Sequence, residues 1–323
     1  MFRSQGTRVP YSRLNLRVSQ VCGAVELLEG RFSSRGWTAS DPTACHDSGN
    51  QCLIQEGWLY HRTELASALC LTADSATDAE LTWSAWQKWG PECVHHLRGD
   101  WVMAVWDSQA RRLFLAQSAF GNTALYYHCT PQAVYYASRL KDLLVMPEVP
   151  KRPNLLRVTQ VLTSWSKDGT STGYEGIFRL PPAHTLIVQD GKVTTQRYWF
   201  PENLPPLLLG SDEEYAEAFL DVYGRAVRER LRGDRPIGVT LSGGLDSSSV
   251  CALAAQALRS HGKRLPAFTS VPLHAVGYER PRSFDDESPF AAATAAHAGN
   301  VDLQCLRAEN ISPLAATREL LEL

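Results

Sequence analysis

Residues 236–248 read PIGVTLSGGLDSS, an apolar run followed by two glycines, an aspartate and flanking serines. The run 236–241 predicts a buried strand, and the apolar spacing over 247–260 predicts a helix. Glycines let the backbone approach a ligand closely, and a helix start offers unpaired N–H groups and a positive dipole end. The stretch therefore predicts an anion-binding turn at the carboxyl edge of a parallel sheet.

The segments around this turn continue the alternation of strands and helices. Strands are expected at 265–271 and 301–306, and an Ala-rich helix at 288–298. Before the turn, Ser211 and Glu214 form the pattern of a capping box. It opens a helix whose predicted apolar stripe is Tyr215, Phe219, Val222, Val227 and Leu231. This order predicts an α/β domain with a doubly wound parallel sheet.

The first 200 residues have a different pattern, in which short strand-like runs predominate and one helix is expected at 78–89. The runs lie at 102–107, 112–116, 133–137, 185–188 and 193–195. Strands with few helices predict a layered α+β domain. The proline-containing segment 201–210 predicts a linker, so the expected domains are 1–200 and 211–323.

Composition excludes several classes of function. The net charge is −2 and no basic run is present, so nucleic acid is not an expected partner. No apolar stretch is long enough to cross a bilayer, and the first residues lack the apolar core of a secretion signal. The eight cysteines are scattered, which predicts free thiols in a reducing cytoplasm.

The glycine turn resembles a known nucleotide-binding loop. It lacks the lysine of a Walker A motif, but residues 242–247 resemble the PP-loop of the N-type ATP pyrophosphatases. The resemblance implies ATP and Mg²⁺ as cofactors, with Asp246 helping to hold the metal through the phosphates and Asp246 and Ser247 as catalytic residues. It implies that ATP or its pyrophosphate binds at Leu241, Ser242, Gly243, Gly244, Ser247, Ser248 and Val271.

A series of short motifs before the loop resembles one family. The motifs are LRGDWVMAVWD at 97–107, RLFLA at 112–116, FG at 120–121, LYY at 125–127, YAS at 136–138, LPPAH at 180–184 and RYW at 197–199. In this order they resemble the glutamine-hydrolysing asparagine synthetases and their lasso-peptide cyclase and β-lactam synthetase relatives. The resemblance implies an N-terminal-nucleophile hydrolase-like sandwich followed by a C-terminally incomplete adenine-nucleotide α-hydrolase domain.

The glutaminase half departs from the family pattern. The family's nucleophile is an N-terminal cysteine, whereas position 2 is Phe2 and the matching Cys-Gly strand begins at Cys22. The oxyanion-hole asparagine is replaced by Glu56, although Gly57 and Asp78 match the family's glutamine site. Cys22, Gly57 and Asp78 are therefore interpreted as remnants of a glutamine site with little activity.

The sequence is compatible with three functions. The first is an asparagine synthetase-type amide ligase that adenylates a carboxylate and transfers it to ammonia. The second uses the same chemistry with an amine on the substrate, as in lasso-peptide cyclases and β-lactam synthetases. The third is a truncated, non-catalytic chain. The expected partners are a small-molecule or peptide carboxylate and an amine, and a homodimer or a missing C-terminal half is also considered.

Overall fold

The computed structural model describes residues 22–26, 32–33, 45–73, 75–165, 168–233, 236–273, 286–309 and 312–322. The chain divides into two compact units, Met1–Pro205 and Pro206–Leu323. The division lies inside the segment 201–210, where the prolines of the sequence predict a linker.

The first unit is built from two antiparallel sheets. Strands β1 to β11 are, in chain order, Cys22–Glu26, Phe32–Ser33, Cys45–Asp47, Gln51–Tyr60, Arg98–Asp107, Arg112–Gln117, Tyr126–Cys129, Ala133–Ala137, Ile177–Arg179, His184–Gln189 and Lys192–Arg197. Helices α1 to α4 are Arg62–Ala68, Asp78–Trp89, Leu140–Leu144 and Leu155–Leu162. One sheet has the order β2-β1-β8-β7-β9 and the other β11-β10-β6-β5-β4-β3.

The sheets pack face to face with helices outside them. This layering is visible at β5, whose side chains are buried on both faces of the sheet. Val102, Ala104 and Trp106 pack against the other sheet, whereas Trp101 and Met103 pack beneath α1 and α2. A third cluster lies beside α3 on the far side of the first sheet. The unit is therefore an α-β-β-α sandwich, which is the layered α+β arrangement expected from the sequence.

Local sequence signals account for only part of these elements, since β4, β7, α1, α3 and α4 were not expected from the sequence. The predicted strands are confirmed, and each is equal to or slightly shorter than the observed strand. Asp190 and Gly191 form the turn between β10 and β11, both at positive φ. Helix α2 has the predicted bounds, and Thr77 and Glu80 form a reciprocal capping box at its start.

The second unit contains a parallel sheet. Its elements are α5 Asp212–Glu229, β12 Val239–Thr240, α6 Leu245–Arg259, β13 Leu265–Ser270, α7 Ser288–Ala298, β14 Val301–Leu306 and α8 Pro313–Glu322. The sheet order is β12-β13-β14, with both pairs parallel. The strand predicted at 236–241 is shorter than expected. Pro236 has no N–H for a ladder, and only Val239 and Thr240 pair with β13.

A doubly wound sheet is not what the described residues form. Helices α5, α6 and α7 share one core with one face of the sheet. On the other face, Ser270, Asp302 and Gln304 are exposed. Strands added in sequential order by right-handed crossovers place their helices on the same side. A second helical layer, which double winding requires, is absent from the part of the chain that the structure describes.

The prediction for α5 is partly wrong. Tyr215, Phe219 and Val222 are exposed, whereas Val227 is buried, because only the later turns of α5 belong to the core shared with α6 and α7. At its start the Ser211 hydroxyl accepts from the Glu214 N–H at 3.3 Å. The Glu214 carboxylate reaches past Ser211 and accepts from the N–H of Gly210 at 2.8 Å.

None of the helices in the described ranges has both the length and the apolar character needed to cross a bilayer.

Candidate functional site

The glycine turn lies between β12 and α6, as the sequence predicts. Leu241 is 1% exposed and donates its N–H to Phe268 at 2.8 Å, so the end of the strand is held in the sheet. Helix α6 begins at Leu245, and its N-cap is Gly244. Because glycine offers no capping side chain, the first-turn N–H groups of α6 are directed at the turn without a side-chain acceptor from this position.

Serine hydroxyls stabilise the turn from within. The Ser247 Oγ accepts from the N–H of Ser242 at 3.0 Å and lies 2.8 Å from the Ser242 Oγ. The Ser242 Oγ in turn accepts from the N–H of Gly244 at 3.2 Å. The two serines therefore hold the loop in one conformation and line it with hydroxyl groups.

Helix α7 packs against the same turn. A Cβ built on Gly243 would lie 3.0 Å from the Cβ atoms of both Glu287 and Phe290, so glycine is needed for this close approach. The Glu287 carboxylate accepts from the Gly243 N–H at 3.2 Å. One helical turn after Phe290, the Thr294 hydroxyl donates to the Ser248 Oγ at 3.3 Å.

Asp246 lies in the first turn of α6, with its side chain exposed beside the loop. A carboxylate at a helix N-terminus is favoured by the dipole. Its backbone carbonyl accepts from the Ser249 hydroxyl at 2.9 Å, and the Ser249 hydroxyl also contacts the Tyr223 hydroxyl at 2.8 Å. Asp246 is thus held on a helix anchored to α5.

Val271 follows the end of β13, at the carboxyl edge of the sheet where the loop also lies. It is 6% exposed, and its N–H donates to Leu306 at 3.0 Å. The backbone contact with adenine that the resemblance implies for Val271 stays a prediction.

The structure brings most of the predicted phosphate-site residues to one place. Among the residues described, no cluster of three or more histidine, cysteine, aspartate or glutamate side chains is arranged to hold a metal. Asp246 with phosphate oxygens suits Mg²⁺, which keeps few protein ligands. Phe290 and Thr294 were not identified from the sequence. The run Asp285-Asp286-Glu287 resembles the family's acidic segment ahead of a helix, but this resemblance does not single out Glu287, and Asp285 lies outside the described residues.

The proposed glutamine-site residues lie in the first unit. Cys22 begins β1, where its backbone pairs with Ala137; residues 1–21 lie outside the described residues. Gly57 is in β4 opposite Trp101, and Asp78 begins α2. Asp78 lies close in space to the part of β4 that contains Gly57, since its carboxylate accepts from the N–H of Leu59 at 2.8 Å.

Asp78 already has a cationic partner. Arg62 forms an ion pair with its carboxylate and also donates to the carbonyls of Ala73 and Ala76. Both side chains of the pair are partly buried. A substrate ammonium that was to bind Asp78 would have to approach the Arg62 guanidinium, which carries the same charge. This ion pair is a structural reason to expect a weak glutamine site, in addition to the replacement at Glu56 seen in the sequence.

We expect the purified chain to release ammonia from glutamine no faster than its Cys22→Ala variant. The reason is the engagement of Asp78 by Arg62, which opposes binding of the substrate amine. A coupled glutamate dehydrogenase assay of both proteins measures this. Ammonia release that disappears in the Cys22→Ala protein would show that the glutamine site works.

The other described thiols differ in exposure. Burial, with a smaller effect of Glu92, raises the pKa of the Cys93 thiol to about 12, whereas Cys70 and Cys305 are exposed. Only thiolates react readily, so iodoacetamide at pH 8 is expected to modify Cys70 and Cys305 and to spare Cys93 in the native chain. Peptide mass spectrometry checks this, with the urea-unfolded chain as control. Equal native rates at Cys93 and Cys70 would contradict the burial argument.

Two family models match the chain. The glutamine amidotransferase domain model matches residues 34–199, and the asparagine synthase model matches residues 218–322. The first lies within the sandwich unit and the second covers the phosphate loop.

Curated relatives agree with these matches. The chain is 27% identical over 263 residues to asparagine synthetase [glutamine-hydrolyzing] 3 of Bacillus subtilis, covering 77% of this chain and 40% of the relative. It is 29% identical over 276 residues to amidase chry2 of Gibberella zeae, covering 81% of this chain and 40% of the relative. The chain thus spans about two fifths of the length of these relatives.

A solved structure of glutamine phosphoribosylpyrophosphate amidotransferase from Bacillus subtilis aligns with a TM-score of 0.33 and 12% identity, covering 81% of this chain and 62% of that chain. With a score this low, the assignment of the fold rests on the sheets and cores of the chain itself.

Proposed function

Since the chain belongs to the asparagine synthetase family, we propose that its second unit binds ATP with Mg²⁺ and supports adenylation of a carboxylate for amide formation. The observation that carries the proposal is the loop 242–248. A strand end, two glycines, three serine hydroxyls and a helix N-terminus converge there. This combination of donors suits the oxygens of a pyrophosphate group.

The chemistry divides into two substitutions. A carboxylate oxygen attacks the α-phosphorus of ATP, the bond to the bridging oxygen of the β-phosphate breaks, and pyrophosphate leaves. An amine nitrogen then attacks the acyl carbon, the bond to AMP breaks, and the amine loses a proton. The role of the chain in the first step is to stabilise negative charge on the departing pyrophosphate with fixed N–H and hydroxyl donors.

Asp246 would hold the metal, and the loop would hold the phosphates. Its exposed carboxylate is on the first turn of α6, next to the donors of the loop. Bound Mg²⁺ would neutralise charge on the phosphates. The serine hydroxyls and glycine N–H groups orient the leaving group, while Leu241, held in the sheet, sets the position of the loop.

The source of the amine is the point on which the two enzymatic alternatives differ. The Arg62–Asp78 ion pair weakens the case for ammonia from glutamine. It therefore favours free ammonia or an amine carried by the substrate, the latter as in lasso-peptide cyclases or β-lactam synthetases. The carboxylate is a small molecule or a peptide.

Isotope exchange between pyrophosphate and ATP tests the proposal. The chain is incubated with labelled pyrophosphate, ATP, Mg²⁺ and either aspartate or candidate peptides with a free carboxylate. Exchange with aspartate supports an asparagine synthetase activity, and exchange only with a peptide supports a cyclase.

Calorimetric titration with ATP and Mg²⁺ accompanies the exchange assay. Absence of both exchange and ATP binding would refute the proposed site and favour a non-catalytic chain. Binding without exchange would support the phosphate site alone and refute adenylation by this chain with the substrates tested.

A further inference from the structure

Each backbone donor of the turn 242–244 already has an acceptor within the protein. The N–H groups of Ser242 and Gly244 are bonded to serine hydroxyls of the same turn. The N–H of Gly243 is different, because its acceptor is the Glu287 carboxylate, 44 positions further along the chain. A phosphate that binds this turn must therefore exchange with acceptors that are already present.

Glu287 is held near the turn by its backbone as well as by its carboxylate. Its Cβ lies 3.0 Å from the position that a Cβ on Gly243 would take. Phe290 and Thr294, on the same face of α7, contact Gly243 and Ser248 respectively. The start of α7 is therefore packed against the loop, and a carboxylate displaced from Gly243 remains close to it.

A carboxylate resembles a phosphate oxygen in charge and in its preference for N–H donors. One N–H serves one well-aligned acceptor, so Glu287 and a pyrophosphate oxygen cannot both use the donor of Gly243 fully. After displacement, the negative charge of Glu287 would still repel a bound polyanion at short range.

We propose that Glu287 is an internal competitor for the pyrophosphate position. It occupies the Gly243 N–H in the resting loop and is displaced when the phosphates bind. This inference rests on the proposed function of the loop. It assigns to Glu287 the role of limiting the affinity of the loop for pyrophosphate. A limited affinity favours release of the pyrophosphate product.

Calorimetric titration of the full chain with sodium pyrophosphate tests the inference. Glu287→Gln keeps the size of the side chain and removes its charge, so we expect about fivefold tighter binding, the effect of one nearby like charge. Glu217→Gln removes the same charge from the exposed surface of α5 and is expected to change affinity by less than about twofold. Thermal unfolding of each variant without ligand verifies that the fold is retained.

The outcomes separate the inference from the proposed function. Pyrophosphate binding by the wild type with equal or weaker binding by Glu287→Gln would overturn the inference and leave the loop as a phosphate site. Weaker binding seen only with Mg²⁺ would likewise overturn it, since that result identifies Glu287 as a metal-holding group. If neither protein binds pyrophosphate, the proposed site and the inference both fail.

Discussion

Replacing Asp246 with asparagine is expected to lower pyrophosphate exchange by roughly 10²–10³-fold, the effect of removing one preorganised electrostatic group from a reaction site. Asparagine keeps the size of the side chain but cannot offer a carboxylate to Mg²⁺. It also keeps a side-chain oxygen at the start of α6, so the helix should remain intact. The measurement is the initial exchange rate at saturating ATP and Mg²⁺.

Asp221→Asn is the matched control for this prediction. Asp221 is exposed on α5, in the same unit, and its substitution makes the same change in charge. It should leave exchange within about twofold of the wild type, as surface changes away from a site usually do. If Asp246→Asn exchanged as fast as Asp221→Asn, Asp246 would not be a metal-holding residue of the reaction.

The largest expected effect on stability is that of Gly57→Ala in the sandwich unit. Gly57 has a φ of +106°, and an added Cβ would lie 2.0 Å from the backbone oxygen of Asp100. Gly99 repeats the arrangement across the β4–β5 pair, with a Cβ position 2.0 Å from the oxygen of Trp58. Both obstacles are backbone atoms in paired strands and cannot move aside easily.

We expect Gly57→Ala to lower the free energy of unfolding by roughly 3 kcal/mol or more. A non-glycine residue at positive φ loses about 1–2 kcal/mol, and overpacking loses about 1–3 kcal/mol. In a unit of this size that lowers the unfolding midpoint by roughly 6–12 °C. Differential scanning calorimetry measures the change.

Gly173→Ala is the control for the stability prediction, since nothing lies within 4 Å of its added methyl group and its φ is not in the left-handed region. The control should unfold within a few degrees of the wild type. An unchanged midpoint in Gly57→Ala would mean that the strands can separate locally at this point.

Gly57 has a structural role besides its match to the family's glutamine site. In the sequence it matches a glycine of the family's glutamine site. In the structure, glycine is also required at this position because the backbones of the paired strands β4 and β5 approach closely there. The presence of Gly57 is therefore not by itself an indication of glutamine binding. The ion pair between Asp78 and Arg62 opposes such binding.

Local patterns were sufficient to predict most of the elements. Short apolar and aromatic runs predicted five strands of the sandwich. The order of apolar runs and the glycine turn identified the parallel sheet and placed the loop at its carboxyl edge. These features depend on neighbours in the chain, so the sequence contains them directly.

Contacts between segments that are distant in the chain could not be predicted from local sequence patterns. The pairing of Arg62 with Asp78 and of Glu287 with Gly243 joins residues 16 and 44 positions apart. The exposure of Phe219 and the single helical layer on the sheet likewise depend on which elements meet. A single sequence specifies the propensity of each segment, whereas these partners follow from packing of the whole unit. The order of segments along the chain thus determines the phosphate loop. Packing determines that the Glu287 carboxylate bonds to Gly243 in this loop and that the Arg62 guanidinium pairs with Asp78 in the glutamine-site remnant.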